Sequence, residues 1–461
     1  MRMAPIQPPN QTPVLVVELT EWDRADPSHN ARLKGKSLAQ DVQARRIADA
    51  VRSKVDIREG YDGLEIATTS FVGRIDVGPL RVVIRPKLPA MPLTRLLGYA
   101  YGLRDLSVIK ETQTPIAREG LHDLLIAMLA AEVEELLDRG LARHYIALES
   151  RLESPRGKIL VQELLSRGGI SDAKLPCRYF ERQANWHLNQ VLRAGVAAAA
   201  EMTDDRELRQ RLYRSVDMFG DVASKAPLET RDIDRAERGL TRLTSASSSA
   251  LAIIRILHDM RGVAFGPINE HSRTPGFLFD MNVFFQRLLS RFLRENLTAR
   301  RIEDEISIRG AFAYAADANP KRRAAPKPRP DFGLFQDRNL IGFLDAKYRD
   351  TWERGLPSEW LYQGSIYALA SPTRVSVLLY ATMSEEARDE KIDIQQPIAW
   401  SNSIPGSVIL RPILMPQLAD LLDPNHARGR IVQRQQWAED LVILCARKTK
   451  SGRTNADQGM A

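Results

Sequence analysis

The stretch PDFGLFQDRNLIGFLDAKY, residues 330–348, decides the fold of the C-terminal part of the chain. It holds two short apolar segments, 331–336 and 340–348, whose length and composition predict two neighbouring buried β-strands. Asp331 begins the first segment, and Asp345 lies near the end of the second. Lys347 points to the same face as Asp345, because side chains alternate along a strand. The pattern predicts two carboxylates and one ammonium group at one edge of a sheet.

These three side chains have the chemistry of a metal-dependent hydrolase. Mg²⁺ prefers oxygen ligands and keeps several waters, so Asp331, Asp345 and the backbone carbonyl of Ala346 suffice to hold it. The ion can polarise a phosphodiester and activate a water, and Lys347 can orient that water or stabilise the developing negative charge. We therefore predict Asp331, Asp345 and Lys347 as catalytic residues.

An alternative interpretation is purely structural. Asp331 could cap the end of a loop, and Asp345 and Lys347 could form an exposed pair on a strand. The segment LIGFLDAKY is too apolar for a surface strand, however. Burying two acids and a lysine at its end is costly without a charged partner or a metal. This cost favours the catalytic interpretation.

The spacing of these residues resembles the PD-(D/E)xK nuclease superfamily. A helix predicted in SEWLYQGSIYALA, residues 358–370, adds Gln363 and Tyr367, which lie on one helical face because they are four residues apart. RecB-like members of the superfamily carry such a Gln-xxx-Tyr pair after the lysine. The resemblance implies that Gln363 and Tyr367 lie beside the active site and support DNA. An amphipathic helix with an incidental glutamine is the alternative.

The chain as a whole resembles the McrC family, the nuclease subunits of McrBC-type modification-dependent restriction systems. The similar stretches, which follow one another in the family's order, are 71–88, 96–103, 139–145, 155–159, 177–192, 277–289 and the nuclease core. The resemblance implies cleavage of methylated double-stranded DNA, with Mg²⁺ as cofactor. It also implies a McrB-like AAA+ GTPase partner whose hydrolysis this chain stimulates.

One position departs from the family pattern. In the helix corresponding to 281–296, the family usually carries a glutamate that joins the metal site, and here Gln286 follows Phe285. A neutral amide binds Mg²⁺ more weakly than a carboxylate, so the role of Gln286 stays open. Two alternative functions follow: a non-catalytic activator of the AAA+ motor with a degenerate nuclease core, or a RecB-like nuclease of another defence or repair system.

The predicted fold class is mixed α+β, since strands and helices are both predicted. We expect several domains, because 461 residues are too many for one ordinary hydrophobic core. The predicted segments are a disordered leader 1–13, a β-rich partner-docking module 14–115, a helical middle 116–265, a PD-(D/E)xK nuclease domain 266–449 and a disordered tail 450–461. Further strands are predicted at 14–19, within 64–88, and at 304–315, 374–381 and 406–413. Further helices are predicted at 121–142, 186–202, 247–259 and 277–296, and an exposed basic loop at 319–330.

Composition narrows the classes of partner and compartment. The formal net charge of +8 favours polyanions such as DNA. No apolar run approaches the length of a membrane span, and no signal peptide is evident, so we expect a cytoplasmic protein. Gly35-Lys36-Ser37 lacks the preceding glycine of a P-loop, so GTP is expected to bind only to the partner. The two cysteines provide no zinc-binding motif.

Overall fold

The computed structural model describes residues 15–103, 121–166, 168, 173–223, 228–262, 276–315, 317–395, 406–423 and 428–446. The predicted leader and tail lie outside these residues. The described residues divide into two compact units. Unit 1 comprises those within Met1–Val72, Asp76–Tyr101 and Asp280–Ala461, and unit 2 comprises those within Gly73–Ile75 and Gly102–Phe279.

The N-terminal part of unit 1 is rich in strands. Its elements are β1 (Leu15–Thr20), β2 (Arg24–Ala25), α1 (Val42–Val51), β3 (Val55–Glu59), β4 (Leu64–Thr68), β5 (Phe71–Val77, of which Gly73–Ile75 belong to unit 2), β6 (Leu80–Arg85) and α2 (Ala90–Tyr101). β1 runs parallel to β6, and β2, β4 and β3 form a separate antiparallel sheet. Alternating buried and exposed residues in β1 and β6 explain why the sequence predicted both.

Unit 2 combines helices with a three-stranded antiparallel sheet. Its elements are α3 (Leu121–Asp138), β7 (His144–Leu152), β8 (Lys158–Ile159), α4 (Val161–Ser166), β9 (Leu175–Gln183), α5 (His187–Met202), α6 (Arg206–Met218), α7 (Thr230–Arg238), α8 (Ser248–Gly262) and β10 (Gly276–Asp280), whose last residue belongs to unit 1. β7 pairs with β9 over nine residues, and β8 pairs with the other edge of β9.

Two sequence predictions in this region need correction. The prediction of a helical middle is incomplete, because it contains the sheet β7–β9–β8, whose two long strands alternate only between half-buried and exposed residues over most of their length. The predicted helix 277–296 begins only at Met281, because 276–280 form β10 and the Asp280 carboxylate accepts a hydrogen bond from the Asn282 N–H as an N-cap.

The rest of unit 1 is built on a six-stranded sheet. Its elements are α9 (Met281–Asn296), β11 (Arg301–Asp304), β12 (Phe332–Gln336), β13 (Asn339–Lys347), α10 (Thr351–Arg354), α11 (Ser358–Ala370), β14 (Val375–Thr382), β15 (Glu390–Asp393), β16 (Ser407–Leu414), α12 (Met415–Leu421) and α13 (Ile431–Ala446). The strand order is β11-β12-β13-β14-β16-β15, with β13, β14 and β16 parallel. β12, β13, β14 and β16 confirm the predicted strands to within about two residues at each end.

The predicted strand 304–315 is wrong over most of its length. β11 ends at Asp304, and Glu305 takes a left-handed backbone conformation with φ of 51°, which stops the pairing with β12. The loop at 319–330 is mostly exposed and contains neither helix nor strand, as predicted.

Helices cover the six-stranded sheet closely. α11 packs on β14 and β16, where Ala368, Leu378 and Val408 belong to one buried cluster. α13 packs on β13 and β14. A side chain at Gly342 would place its Cβ 2.1 Å from the Cys445 sulfur, so glycine is required for this approach. The close packing fixes β13, which carries Asp345 and Lys347.

Candidate active site

Asp331 and Asp345 lie side by side at one end of β12 and β13. Phe332 pairs with Leu344 in the antiparallel ladder, so Asp331 and Asp345 are the next opposed positions. The Asp331 N–H donates to Oδ1 of Asp345 at 3.3 Å, and the Ala346 N–H donates to Oδ2 of Asp331 at 2.7 Å. The register of the hairpin therefore brings the two predicted carboxylates together.

The pair carries more negative charge than its surroundings neutralise. Asp345 is only 2% exposed. Burial, and then the charge of Asp345, raise the pKa of Asp331 to about 7. Oδ2 of Asp345 lies 2.6 Å from Nζ of Lys347, yet it accepts no hydrogen bond from the described part of the chain. A buried carboxylate oxygen that faces one ammonium group and accepts no hydrogen bond can still bind a metal ion.

Lys347 links the carboxylates to helix α11. Its Nζ donates to Oε1 of Gln363 at 3.1 Å, and Nε2 of Gln363 donates to the Tyr367 hydroxyl at 2.7 Å. Nζ also lies 5.4 Å from the centre of the Trp360 ring. The structure therefore brings Gln363 and Tyr367 to the predicted group, and it adds Trp360.

The N-terminal segment holds the residue that follows Lys347. The Trp22 indole N–H donates to the Tyr348 carbonyl at 2.9 Å, and the Tyr348 hydroxyl donates to Glu21 at 3.1 Å. Both Glu21 oxygens also accept the Lys87 N–H at 2.8 Å. Burial raises the pKa of Glu21. Sequence reasoning missed Glu21 and Trp22, and the only local signal is that they directly follow the strand β1.

Among the predicted site residues, all of which the structure describes, Gln286 alone has no hydrogen bond to this group within the described ranges. It lies on α9 and lines a cleft of about 650 Å³, together with Arg287, Asp304 and Glu305. The Glu305 N–H donates to the Asp331 carbonyl at 2.8 Å, so backbone connects the cleft to the carboxylate pair. Within the described ranges, no cluster of three Asp, Glu, His or Cys side chains could hold a metal.

The donor set fits Mg²⁺ with two protein carboxylates. The ion usually keeps several waters and uses one or two carboxylates, so a third acid is not required. Burial and then the charge of Asp345 raise the pKa of Asp331, and a divalent cation bound to both carboxylates would relieve this cost. The Ala346 carbonyl, between Asp345 and Lys347, is the third oxygen that the sequence assigned to this site.

The family of the chain follows from comparison with known proteins. A family model described as the McrBC 5-methylcytosine restriction system component matches residues 66–381. The chain belongs to the McrBC family. The match spans Asp331, Asp345, Lys347, Gln363 and Tyr367, and it confirms the resemblance found in the sequence. No curated protein matches the chain.

Two solved structures of McrBC assemblies match this chain, and the first of them shows a similar fold. One is a refined half-complex from a tetradecameric assembly of Thermococcus gammatolerans McrB AAA+ hexamers with bound McrC, with 18% identity, 90% of this chain and 99% of that chain covered, and a TM-score of 0.56. Another is a cryo-EM structure of the Thermococcus gammatolerans McrBC complex, with 20% identity, 61% and 88% coverage, and a TM-score of 0.43. In the described part of this McrBC-family chain, no helix is long and apolar enough to cross a membrane.

Proposed function

We propose that this McrBC-family protein is the Mg²⁺-dependent endonuclease subunit of a restriction complex, and that it cuts methylated double-stranded DNA. The observation that carries the proposal is the buried Asp331–Asp345 pair, with Lys347 2.6 Å from one carboxylate oxygen. Burying this charge is costly, and no ordinary structural purpose requires it. A metal-dependent hydrolase needs these groups in this arrangement.

Each residue of the site has a defined task in this mechanism. Asp331, Asp345 and the Ala346 carbonyl would hold Mg²⁺, which supplies Lewis acidity toward the phosphodiester and acidifies a water. Lys347 donates hydrogen bonds where negative charge develops on the phosphate or on the attacking oxygen. Gln363 holds Nζ of Lys347 in position, and Tyr367 holds the Gln363 amide.

The proposed partner is a McrB-like AAA+ GTPase that recognises the methylated site and whose hydrolysis this chain stimulates. The family match supports this partner, as does the similar fold of a chain from an assembly in which McrB AAA+ hexamers have McrC bound.

The test is cleavage of methylated and unmethylated plasmid with Mg²⁺, GTP and the co-encoded AAA+ protein. We expect Asp345→Asn to lower the cutting rate about 1,000-fold, because it weakens metal binding and removes transition-state stabilisation. Asp337→Asn is the matched control, since Asp337 lies in the exposed turn between β12 and β13 and asparagine tolerates its positive φ. Equal cutting by wild type and Asp345→Asn would refute the catalytic assignment.

A second candidate function is a non-catalytic activator of the AAA+ motor. Gln286 and the lack of a third acid among the described residues favour it. An activator would raise the partner's GTP hydrolysis without cutting DNA, and Asp345→Asn would leave that stimulation unchanged. Measuring GTP hydrolysis in the same reactions separates the two functions. Absence of any association with the AAA+ protein would favour a nuclease of another defence or repair system.

A further inference from the structure

Arg349 is a cation with no anionic partner beside the proposed active site. Its guanidinium carbon lies 5.2 Å from the centre of the Trp22 ring and 5.9 Å from that of Trp360. In the part of the chain that the structure describes, no carboxylate forms an ion pair with it, and its buried Nε has no hydrogen-bond partner. The side chain is half-buried, so this charge is partly removed from water without compensation.

The surroundings of Arg349 increase this excess of positive charge. Burial, and then repulsion from Arg354, lower the pKa of Arg349. Arg354 also lowers the pKa of Lys87, second to burial, but Glu21, Asp23 and Asp350 oppose this effect at Lys87. Among the described residues, no carboxylate opposes it at Arg349. Cations that lie close together repel one another and destabilise the folded protein. Binding of an anionic ligand between them commonly offsets this repulsion.

The aromatic rings fix Arg349 in place. The Trp22 indole N–H donates a hydrogen bond to the Tyr348 carbonyl, and the Arg354 guanidinium donates one to the backbone carbonyl of Trp22. These two hydrogen bonds hold Trp22 in position. It has a φ of 58°, a conformation that large side chains rarely adopt. Contact with aromatic faces restrains a guanidinium while its N–H donors can still point to a ligand. Such a planar donor group matches the two oxygens of a phosphate.

We propose that Arg349 binds a phosphodiester phosphate of the DNA next to the one that is cleaved. Lys347 and Arg349 lie near the same ring, with Nζ of Lys347 5.4 Å from the centre of Trp360. A DNA strand carries one phosphate per nucleotide, about 3.4 Å apart along the helix axis. Two cations that share one indole can therefore contact neighbouring phosphates. This inference rests on the proposed function, since it places the cleaved phosphate at Lys347.

The experiment measures DNA binding separately from cutting. The full chain, carrying Asp345→Asn, is assembled with its AAA+ partner, and its affinity for a methylated duplex is measured by fluorescence anisotropy at several salt concentrations. We expect Arg349→Gln to weaken binding and to reduce the slope of log affinity against log salt by about 0.9, the contribution of one phosphate contact. Arg349→Lys should retain most of that slope, because it keeps the charge.

The matched control is Arg338→Gln. Arg338 is an exposed arginine in the turn at the opposite end of β13, about 23 Å along the strand from Asp345. We expect it to leave the slope unchanged. Thermal unfolding of each variant shows whether Arg349→Gln is folded. A folded Arg349→Gln with wild-type affinity and slope would overturn the inference, and would mean that Arg349 only joins the two tryptophans.

The cutting assay separates this inference from the proposed function. If the wild-type complex does not cut but Arg349→Gln still loses one phosphate contact, the proposed function fails and the phosphate site stands. If the wild-type complex cuts and Arg349→Gln binds and cuts equally well, the nuclease assignment stands and the phosphate site is refuted.

Discussion

The six-stranded sheet of unit 1 buries apolar residues and one carboxylate, whereas the three-stranded sheet of unit 2 exposes large aromatic residues. All eight residues of β14 are buried, and the neighbouring β13 buries the charged Asp345. β7, by contrast, has no buried residue. Tyr145 on β7 and Phe180 on β9 are each 64% exposed.

The two sheets differ in whether their unusual side chains are costly to the stability of the folded protein. An exposed aromatic side chain costs a folded protein little, and single examples are common. A buried carboxylate beside a second carboxylate is costly and rare. The physical signal of function is therefore stronger at Asp345 than at the exposed aromatic residues of unit 2.

The largest expected effect tests the contrast in burial. We expect Leu379→Ala, at a fully buried position of β14, to lower the free energy of unfolding by about 2–5 kcal/mol, because it leaves a cavity in a packed core. Phe180→Ala should change it by about 0.5 kcal/mol or less, as is usual at exposed positions. Denaturant unfolding of both variants measures the difference. A comparable loss at Phe180 would mean that the face of β9 is covered in solution.

A second prediction tests the charge buried at the end of β13. Mg²⁺ at a hundredfold excess over its dissociation constant should stabilise the wild type by about 2.7 kcal/mol, because it binds the folded site and not the unfolded chain. Asp345→Asn should lose this stabilisation, and Asp337→Asn should keep it. Thermal unfolding with EDTA and with Mg²⁺ is the measurement. Equal stabilisation of all three proteins would show that the ion binds elsewhere.

The smallest expected effect concerns Glu21, whose pKa is raised above its ordinary value of 4.5 by burial. The folded protein therefore holds this proton more tightly than the unfolded chain does, and stability falls as pH rises above about 4.5 through the raised pKa. Glu21→Gln removes this dependence, at about 1.4 kcal/mol per unit of pKa difference. Unfolding measured at several pH values should show that the stability of the variant, relative to that of the wild type, increases as the pH rises. Parallel curves would contradict a raised pKa.

The sequence predicted the catalytic group because its signals are local. Asp345 and Lys347 share a face through the two-residue period of a strand, and Gln363 and Tyr367 share one through the helical period. The apolar composition of β12 and β13 indicated that these charges are buried. The structure places Lys347 2.6 Å from Asp345 and within hydrogen-bonding distance of Gln363, which donates to Tyr367. Of the three charged residues, only Asp345 is fully buried, and Asp331 and Lys347 are partly exposed. Their catalytic roles stay a prediction until cutting is measured.

Only the tertiary structure decided which distant residues surround this group. Glu21 meets Tyr348 across 327 residues of sequence, and Trp22 and Trp360 meet at Arg349. Likewise, β7 and β9 pair although their alternating residues are mostly half-buried and exposed, a weaker signal than the buried alternation of β1. Local periodicity records which side of its own element a residue faces. Contacts between distant segments depend on the packing of the whole unit, and no short stretch of sequence records them.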